Sequence, residues 1–201
     1  MTDILALRGC RVLRGYLDRS AQETLVDRLR LLLTKAPLFQ PVTPRGQPMS
    51  VRMSAAGQFG WISDAKGYRY SATHPQGMPW PAIPQQILTL WDALSGVARQ
   101  PECCLINWYA ASARMSLHQD RDESDLTMPV VSISLGDEGL FRIGGTERKG
   151  STESLWLQSG DVLVLEGASR LAYHGVDRIR PGSSTLLPNG GRINLTLRVV
   201  T

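Results

Sequence analysis

Cysteine, histidine and phenylalanine occur only three times each in this chain of 201 residues, and each scarcity excludes something. Cys103 and Cys104 are neighbours and Cys10 is remote in sequence. That rules out a disulfide-stapled framework and fits reduced thiols and a cytoplasmic location. No apolar run nears the ~20 residues that a membrane-spanning helix needs, so no membrane is expected as partner. Residues 1–14 carry Asp3, Arg8, Arg11 and Arg14 without a long apolar core, unlike a secretory signal. There is no internal repeat, low-complexity stretch or polybasic tail. Net charge is +4 and the pI about 9.2, with the basic residues dispersed. Such a balance permits a polyanionic partner without requiring one. Mean hydropathy of −0.14 and 42% hydrophobic residues describe a globular chain of one domain, long enough to bury a core. With no apolar stripe left over, a monomer is expected.

Scarce histidine makes each one informative. His118 and Asp120 stand two apart in Leu117-His118-Gln119-Asp120-Arg121-Asp122-Glu123. In extended backbone, residues i and i+2 point the same way, so both side chains reach one point. Imidazole nitrogen with carboxylate oxygen suits a borderline divalent ion such as Fe(II), Mn(II) or Zn(II). A bare His-x-Asp is common by chance, and two ligands are too few. His174, after the apolar run Val162–Leu165, supplies the third. Two histidines and a carboxylate cap one face of an iron and leave the other open.

The C-terminal stretch bears on that reading. From Arg192 to Val200, Ile193, Leu195, Leu197 and Val199 alternate with Arg192, Asn194, Thr196 and Arg198. Period two is a strand signal. Alone, it describes an ordinary amphipathic strand with its polar side in water. Two arginines flanking an amide and a hydroxyl also suit a small dicarboxylate, because guanidinium groups pair bidentately with carboxylates. Metal triad and arginine strand together point to Fe(II) with 2-oxoglutarate.

Elsewhere the pattern divides the chain into three stretches. Residues 1–36 form an N-terminal extension and helix. Its expected capping box is Ser20-Ala21-Gln22-Glu23, and its stripe Leu25, Val26, Leu29, Leu32 and Leu33 ends before Pro37. Residues 37–84 hold eight of the twelve prolines with Trp61, Tyr68, Tyr70 and Trp80, and short alternating pieces such as 49–53. That texture suits a lid, although a proline-rich wrap with buried aromatics is an equal reading. Residues 85–201 open with a helix from Pro84 to about Ala98, its stripe Ile87, Leu90, Trp91 and Leu94. Strands follow at 103–109, 129–135, 139–143, 155–157, 161–165 and 192–200, separated by turns such as Gly144-Gly145. Many short strands predict a mostly β sandwich or jelly roll with the two helices on one outer face.

At Asn107-Trp108-Tyr109, His118-Gln119-Asp120-Arg121-Asp122-Glu123, Ser169-Arg170 through His174-Gly175, and Arg192-x-Asn194-x-Thr196-x-Arg198, the sequence resembles the AlkB family of Fe(II)/2-oxoglutarate-dependent nucleic-acid dealkylases. The similarity runs from about Phe39 to Arg198. It implies a double-stranded β-helix (jelly-roll) core with an N-terminal nucleotide-recognition lid at 37–84. It also implies oxidative removal of N-alkyl groups from bases of the N1-methyladenine and N3-methylcytosine type in single- or double-stranded DNA, with RNA or protein as the alternative substrate. A non-catalytic jelly-roll binding module is the third reading.

By the same resemblance Fe(II) sits on His118, Asp120 and His174, with 2-oxoglutarate as cosubstrate and O2 at the remaining position. Asn107, Tyr109, Arg192, Asn194, Thr196 and Arg198 would hold the cosubstrate, with Ser132 as a weaker candidate. Trp61 would stack on the flipped base. Tyr68 and Tyr70, with Arg69 between them, would contact the backbone. Asp122 and Glu123 would face a cationic alkylated base, and Arg148 would meet the nucleic acid. Departures from the family pattern are Trp108 for a basic residue, Leu165 and Ile143 for aromatics, and Gln47 for a lid tyrosine. They bear on base preference and not on the ligands.

Overall fold

The structure, a computed structural model, describes residues 3–201. Met1 and Thr2, the start of the expected N-terminal extension, lie outside them. In chain order the elements are β1 (Asp3–Leu7), β2 (Cys10–Arg14), α1 (Arg19–Lys35), β3 (Arg52–Gly57), β4 (Gly60–Asp64), β5 (Gly67–Ser71), α2 (Gln85–Leu94), β6 (Cys103–Tyr109), β7 (Met115–His118), β8 (Val130–Gly136), β9 (Glu138–Ile143), β10 (Glu153–Leu157), β11 (Val162–Leu165), β12 (His174–Arg180) and β13 (Arg192–Arg198). A single 3-10 turn, Gly167–Ser169, precedes β12. The major sheet has the order β1-β2-β11-β8-β13-β6-β3 and the minor sheet β10-β9-β12-β7, while β4 and β5 form a separate hairpin. The pairings are antiparallel. Two antiparallel sheets face to face, with helices on one outside, is the jelly roll that the strand pattern predicts.

Register explains which side of β13 does what. Ile193, Leu195 and Leu197 lie beside Trp108, Ile106 and Cys104 on β6, and beside Leu135, Ile133 and Val131 on β8. Directly paired residues share a face, so these nine form one apolar layer. Onto it pack Leu25, Val26, Leu29 and Leu32 of α1 and Ile87, Trp91 and Leu94 of α2. Each such side chain contributes roughly 1.5–3 kcal/mol when fully buried. The opposite face of β13 looks at the minor sheet. Arg192 and Arg198 are only 1% and 6% exposed there, so the polar side of this strand faces an interior and not water. Apolar clusters around Val12, Phe141 and Leu163 and around Met53, Leu105 and Ile179 flank that interior on two sides.

Several boundaries differ from the sequence pattern, each for a local reason. The cap of α1 is Asp18, whose carboxylate accepts from the Ala21 N–H at 2.8 Å. Ser20 is inside the helix, and Glu23 pairs with Arg19 one turn away instead of closing a capping box. Helix α2 stops at Leu94 and not near Ala98, because Gly96 adopts φ +70°, which ends a helix. Strand β13 ends at Arg198, after which the Val200 and Thr201 N–H groups donate to Glu102. The 37–84 stretch is not a lid throughout, since β3 is the edge strand of the major sheet beside β6. The hairpin β1–β2, the strands β4, β5 and β7, and the strand after His174 have no counterpart among the expected strands. They are short or lack clean alternation.

Candidate active site

His118 ends β7, Asp120 follows it in the loop, and His174 opens β12 directly opposite His118. Gly175 permits that approach, because a Cβ there would lie 2.5 Å from the Met115 carbonyl oxygen. The three ligand atoms lie within 4.8 Å of one another. His118 Nε2 is 3.6 Å and His174 Nε2 is 3.7 Å from the Asp120 carboxylate. On the far side of each ring, Nδ1 meets a backbone carbonyl, that of Ser116 at 3.0 Å and of Ala172 at 2.9 Å. A carbonyl only accepts, so Nδ1 carries the hydrogen and Nε2 turns a lone pair toward Asp120. Burial pushes the His174 imidazole down to about 4, which keeps it neutral. Burial would raise the Asp120 carboxyl, but the Arg198 guanidinium and both imidazoles hold it well below the usual carboxylate range. His74 is committed elsewhere: its Nδ1 accepts from the Gln76 N–H and its Nε2 faces the Pro37 carbonyl.

The cosubstrate set lies along one wall. Tyr109 and Asn107 on β6 are cross-strand neighbours of Arg192 and Asn194. They share a face directed into a cavity of about 630 Å³ that also reaches the metal cluster. Arg192 is the informative member. Its guanidinium donates to Ser134 Oγ at 2.7 Å and to the Asp137 and Leu157 carbonyls at 3.3 Å, with no carboxylate in contact among the described residues. Burial lowers it to about 10. Asn194 donates to Ser132 Oγ and accepts from Thr196, so Ser132 enters through Asn194. Ser134, two residues on and on the same face, is the hydroxyl on Arg192, and strand alternation could have found it. The Tyr109 hydroxyl points to the Met115 sulfur at 3.8 Å, with its ring buried in the apolar cluster on that side. Arg198 does not stand free, since it pairs with Asp120 at 2.8 Å and lies near Glu123.

Asp120 Oδ2, Asn107 Oδ1 and Arg192 Nε are buried without a hydrogen-bond partner among the described residues, and all three residues line this cavity. A buried polar atom left alone costs roughly 1–3 kcal/mol. An orphaned carboxylate oxygen beside two metal-ready imidazoles fits a divalent cation. A buried cation without a counter-ion fits a carboxylate. The residues present therefore fit Fe(II) and 2-oxoglutarate together.

At the cavity mouth, Trp61 on β4 stacks on Tyr68 of β5 with centroids 5.5 Å apart and donates to Asp122 at 2.8 Å. Tyr68 is half exposed. Three of the other expected substrate contacts are occupied elsewhere. Arg69 pairs with Asp64 inside its own hairpin. The Tyr70 hydroxyl donates to Glu123 at 2.5 Å and accepts from Arg198, so it faces inward and not toward a nucleic-acid backbone. Glu123 is buried, held by Tyr70 and Arg170, and is not presented at the mouth. Arg148 is exposed on the rim. Arg170 was not among the expected site residues. It donates to the carbonyls of Asp120 and Met128, both at 2.6 Å, and so fixes the loop carrying the metal carboxylate. Its backbone partners lie 50 and 42 residues away, and no spacing in the sequence announces them.

A jelly roll with a His-x-Asp…His cluster and a buried arginine between its sheets defines a metal- and 2-oxo-acid-dependent oxygenase. The sequence model described as "2OG-Fe(II) oxygenase superfamily" matches residues 9–198. An "Alpha-ketoglutarate-dependent dioxygenase AlkB homolog" of Caulobacter vibrioides is 56% identical, over 94% of this chain and 87% of its own. "Alpha-ketoglutarate-dependent dioxygenase AlkB" of Escherichia coli is 41% identical, over 94% and 89%. The solved structure titled "The structure of OsALKBH1" superposes with a TM-score of 0.84 at 30% identity, over 98% of this chain and all of that one. The chain belongs to the AlkB family of the 2OG-Fe(II) oxygenases, and it is an Fe(II)- and 2-oxoglutarate-dependent dioxygenase. No helix among the described residues is long and apolar enough to cross a membrane.

Proposed function

We propose that this dioxygenase reverses alkylation damage in DNA by oxidative dealkylation of N1-methyladenine- and N3-methylcytosine-type bases, releasing formaldehyde, succinate and carbon dioxide. One observation carries the reading: a flat aromatic, Trp61, and a carboxylate, Asp122, are joined at the mouth of the cavity that ends at the metal cluster. Methylation at a ring nitrogen leaves a flat base with a positive charge, which matches a stacking surface next to an anion. The target base must leave the helix stack to enter, and damaged or unpaired bases do so at least cost. The names of the two bacterial relatives agree with this chemistry. Residues 37–84 serve as the nucleotide-recognition lid through the β4–β5 hairpin. The enzyme works as a monomer in the cytoplasm, where its three free, buried thiols remain reduced.

His118, Asp120 and His174 would hold Fe(II), and Arg192 would receive a carboxylate of 2-oxoglutarate against the Tyr109 and Asn107 wall. Iron with 2-oxoglutarate and O2 supplies the oxidising power that hydroxylates the alkyl carbon, after which the hydroxymethyl group separates as formaldehyde. Arg198 orients the Asp120 carboxylate, and Arg170 fixes the backbone beneath it. Trp61 holds the base plane, and Asp122 balances its charge.

The test is formaldehyde and succinate release from single-stranded DNA bearing N3-methylcytosine, with Fe(II), ascorbate and 2-oxoglutarate. Equal release of both, lost without iron and in a folded His118→Ala variant, is expected. Succinate without formaldehyde would move the substrate to RNA. Neither product from folded, iron-loaded protein would refute the reading.

A further inference from the structure

Strand β7 is an edge of the minor sheet, and its residues Met115, Ser116 and Leu117 line both the catalytic cavity and a second concavity of about 620 Å³ beside it. Met115 is half-buried: its thioether packs on the apolar cluster that holds Tyr109 and Val176, yet part of it meets solvent. Its sulfur, 3.8 Å away, is the one hydrogen-bond partner of the Tyr109 hydroxyl among the described residues. Tyr109 is only 2% exposed, and burial pushes its hydroxyl up to about 12. The hydroxyl therefore keeps its hydrogen and acts as a donor. A thioether is a weak acceptor. It leaves that hydrogen open to a stronger acceptor, such as the carboxylate of a 2-oxo acid in the cavity.

From this contact we propose that Met115 is an oxidation site that sets cosubstrate affinity: its sulfoxide captures the Tyr109 hydroxyl and weakens 2-oxoglutarate binding. The inference rests on the reading of Tyr109 as part of the cosubstrate wall and adds a reversible modification to it. The oxidant is hydrogen peroxide. The thioether sulfur attacks one peroxide oxygen, the O–O bond breaks and an S–O bond forms. The transferred oxygen passes its proton to the departing one, which leaves as water. Sulfur is thereby oxidised by two electrons and peroxide reduced by two. A flexible thioether in contact with solvent undergoes this reaction, and methionine sulfoxide reductases reverse it. Oxidation turns an apolar side chain into a polar one, and it puts a strong acceptor where the sulfur was a weak one. Tyr109 then donates to Met115 and no longer to the ligand. Losing one such hydrogen bond weakens binding roughly 3- to 10-fold.

The experiment treats Mn(II)-loaded protein with hydrogen peroxide, removes the excess with catalase, and reads the Kd for 2-oxoglutarate from ligand-dependent melting. Peptide mass spectrometry should find one added oxygen on Met115, and the Kd should rise roughly 3- to 10-fold. Treatment with both methionine sulfoxide reductases, one for each epimer, should restore it. Met115→Leu, which is close in volume, should give the same Kd before and after peroxide. Met78→Leu removes another half-buried methionine, outside the cavity lining, and should respond to peroxide as the wild type does. Tyr109→Phe lacks the hydroxyl, so it should bind more weakly from the start and lose little more on oxidation. A Met115 that stays reduced, a Met115 sulfoxide with the untreated Kd, or an equal peroxide effect in Tyr109→Phe would each overturn the proposal. Failure of the parent reading looks different, with untreated wild type binding 2-oxoglutarate no better than Tyr109→Phe.

Discussion

Arg192→Met separates what the fold needs from what the ligand needs. The guanidinium is almost fully buried and has no ionic partner among the described residues. Burial takes it from 12.5 to about 10, which makes its charge cost roughly 3 kcal/mol in the folded state. For a cation whose folded value lies below its unfolded one, that cost is present at neutral pH and is relieved only as pH rises through about 10. Against it stand hydrogen bonds to Ser134, Asp137 and Leu157, at about 1 kcal/mol each. The terms nearly cancel. Methionine keeps the aliphatic stem without the charged head, so ligand-free Arg192→Met should melt within a few degrees of wild type. A carboxylate ligand should then discriminate the two. At about 100 times its Kd it adds roughly 2.7 kcal/mol to the wild type, or about 5–10 °C for a domain of this size. Differential scanning fluorimetry with Mn(II), with and without 2-oxoglutarate, measures both quantities. The variant should lose the ligand-dependent rise. A full rise in the variant, or a collapse of its ligand-free melting point by more than about 10 °C, would refute the reasoning.

Asp18→Ala should cost about 1 kcal/mol, because it removes the α1 cap, whereas Ser20→Ala should stay within about 0.5 kcal/mol; urea unfolding distinguishes them. Trp61→Ala should raise KM for a methylated oligonucleotide by roughly 5- to 150-fold, the worth of one stacked base, and leave ligand-induced stabilisation by 2-oxoglutarate intact in fluorimetry. Burial pushes the Cys10 thiol up to about 11 and that of Cys103 to about 12, so neither forms thiolate at pH 8. Native protein should resist iodoacetamide there, and mass spectrometry should find all three cysteines modified only after denaturation.

The parts of the fold with strong periodicity were legible in the chain, and so was the metal set. Residues 192–198 alternate cleanly, and Leu25, Val26, Leu29 and Leu32 keep helical spacing; both lie on the core as the pattern predicts. Three histidines made the metal set a short search. The failures share a cause, which is competition between neighbours that spacing does not encode. Ser20 and Asp18 are both good caps, and Asp18 holds the Ala21 N–H. Tyr70 and Tyr68 both sit on β5, but Glu123 and Arg198 draw one hydroxyl inward while Trp61 stacks on the other ring. Arg170 belongs to a family motif in the sequence, but its role shows only when chain closure brings Asp120 and Met128 beside it.

The unsatisfied atoms have a common logic. In a folded domain, buried polar groups are normally paired, and each exception calls for a reason. Here Asp120 Oδ2, Asn107 Oδ1, Arg192 Nε and Arg198 Nε are orphaned, and their four residues line one cavity while the apolar clusters on either side close around it. Elsewhere in the same interior, polar side chains are matched: Asn194 with Ser132 and Thr196, and Glu123 with Tyr70 and Arg170. The unmatched set is thus local and of mixed sign, an anion beside two imidazoles near one end and an unpaired cation on the strand wall. A cation satisfies the free Asp120 oxygen and a carboxylate ligand neutralises Arg192; with Asp120 already paired to Arg198, each added charge lowers the cost of burying the other in a low-dielectric pocket. Metal and 2-oxoglutarate should therefore bind with positive coupling, each raising the other's affinity by the same factor.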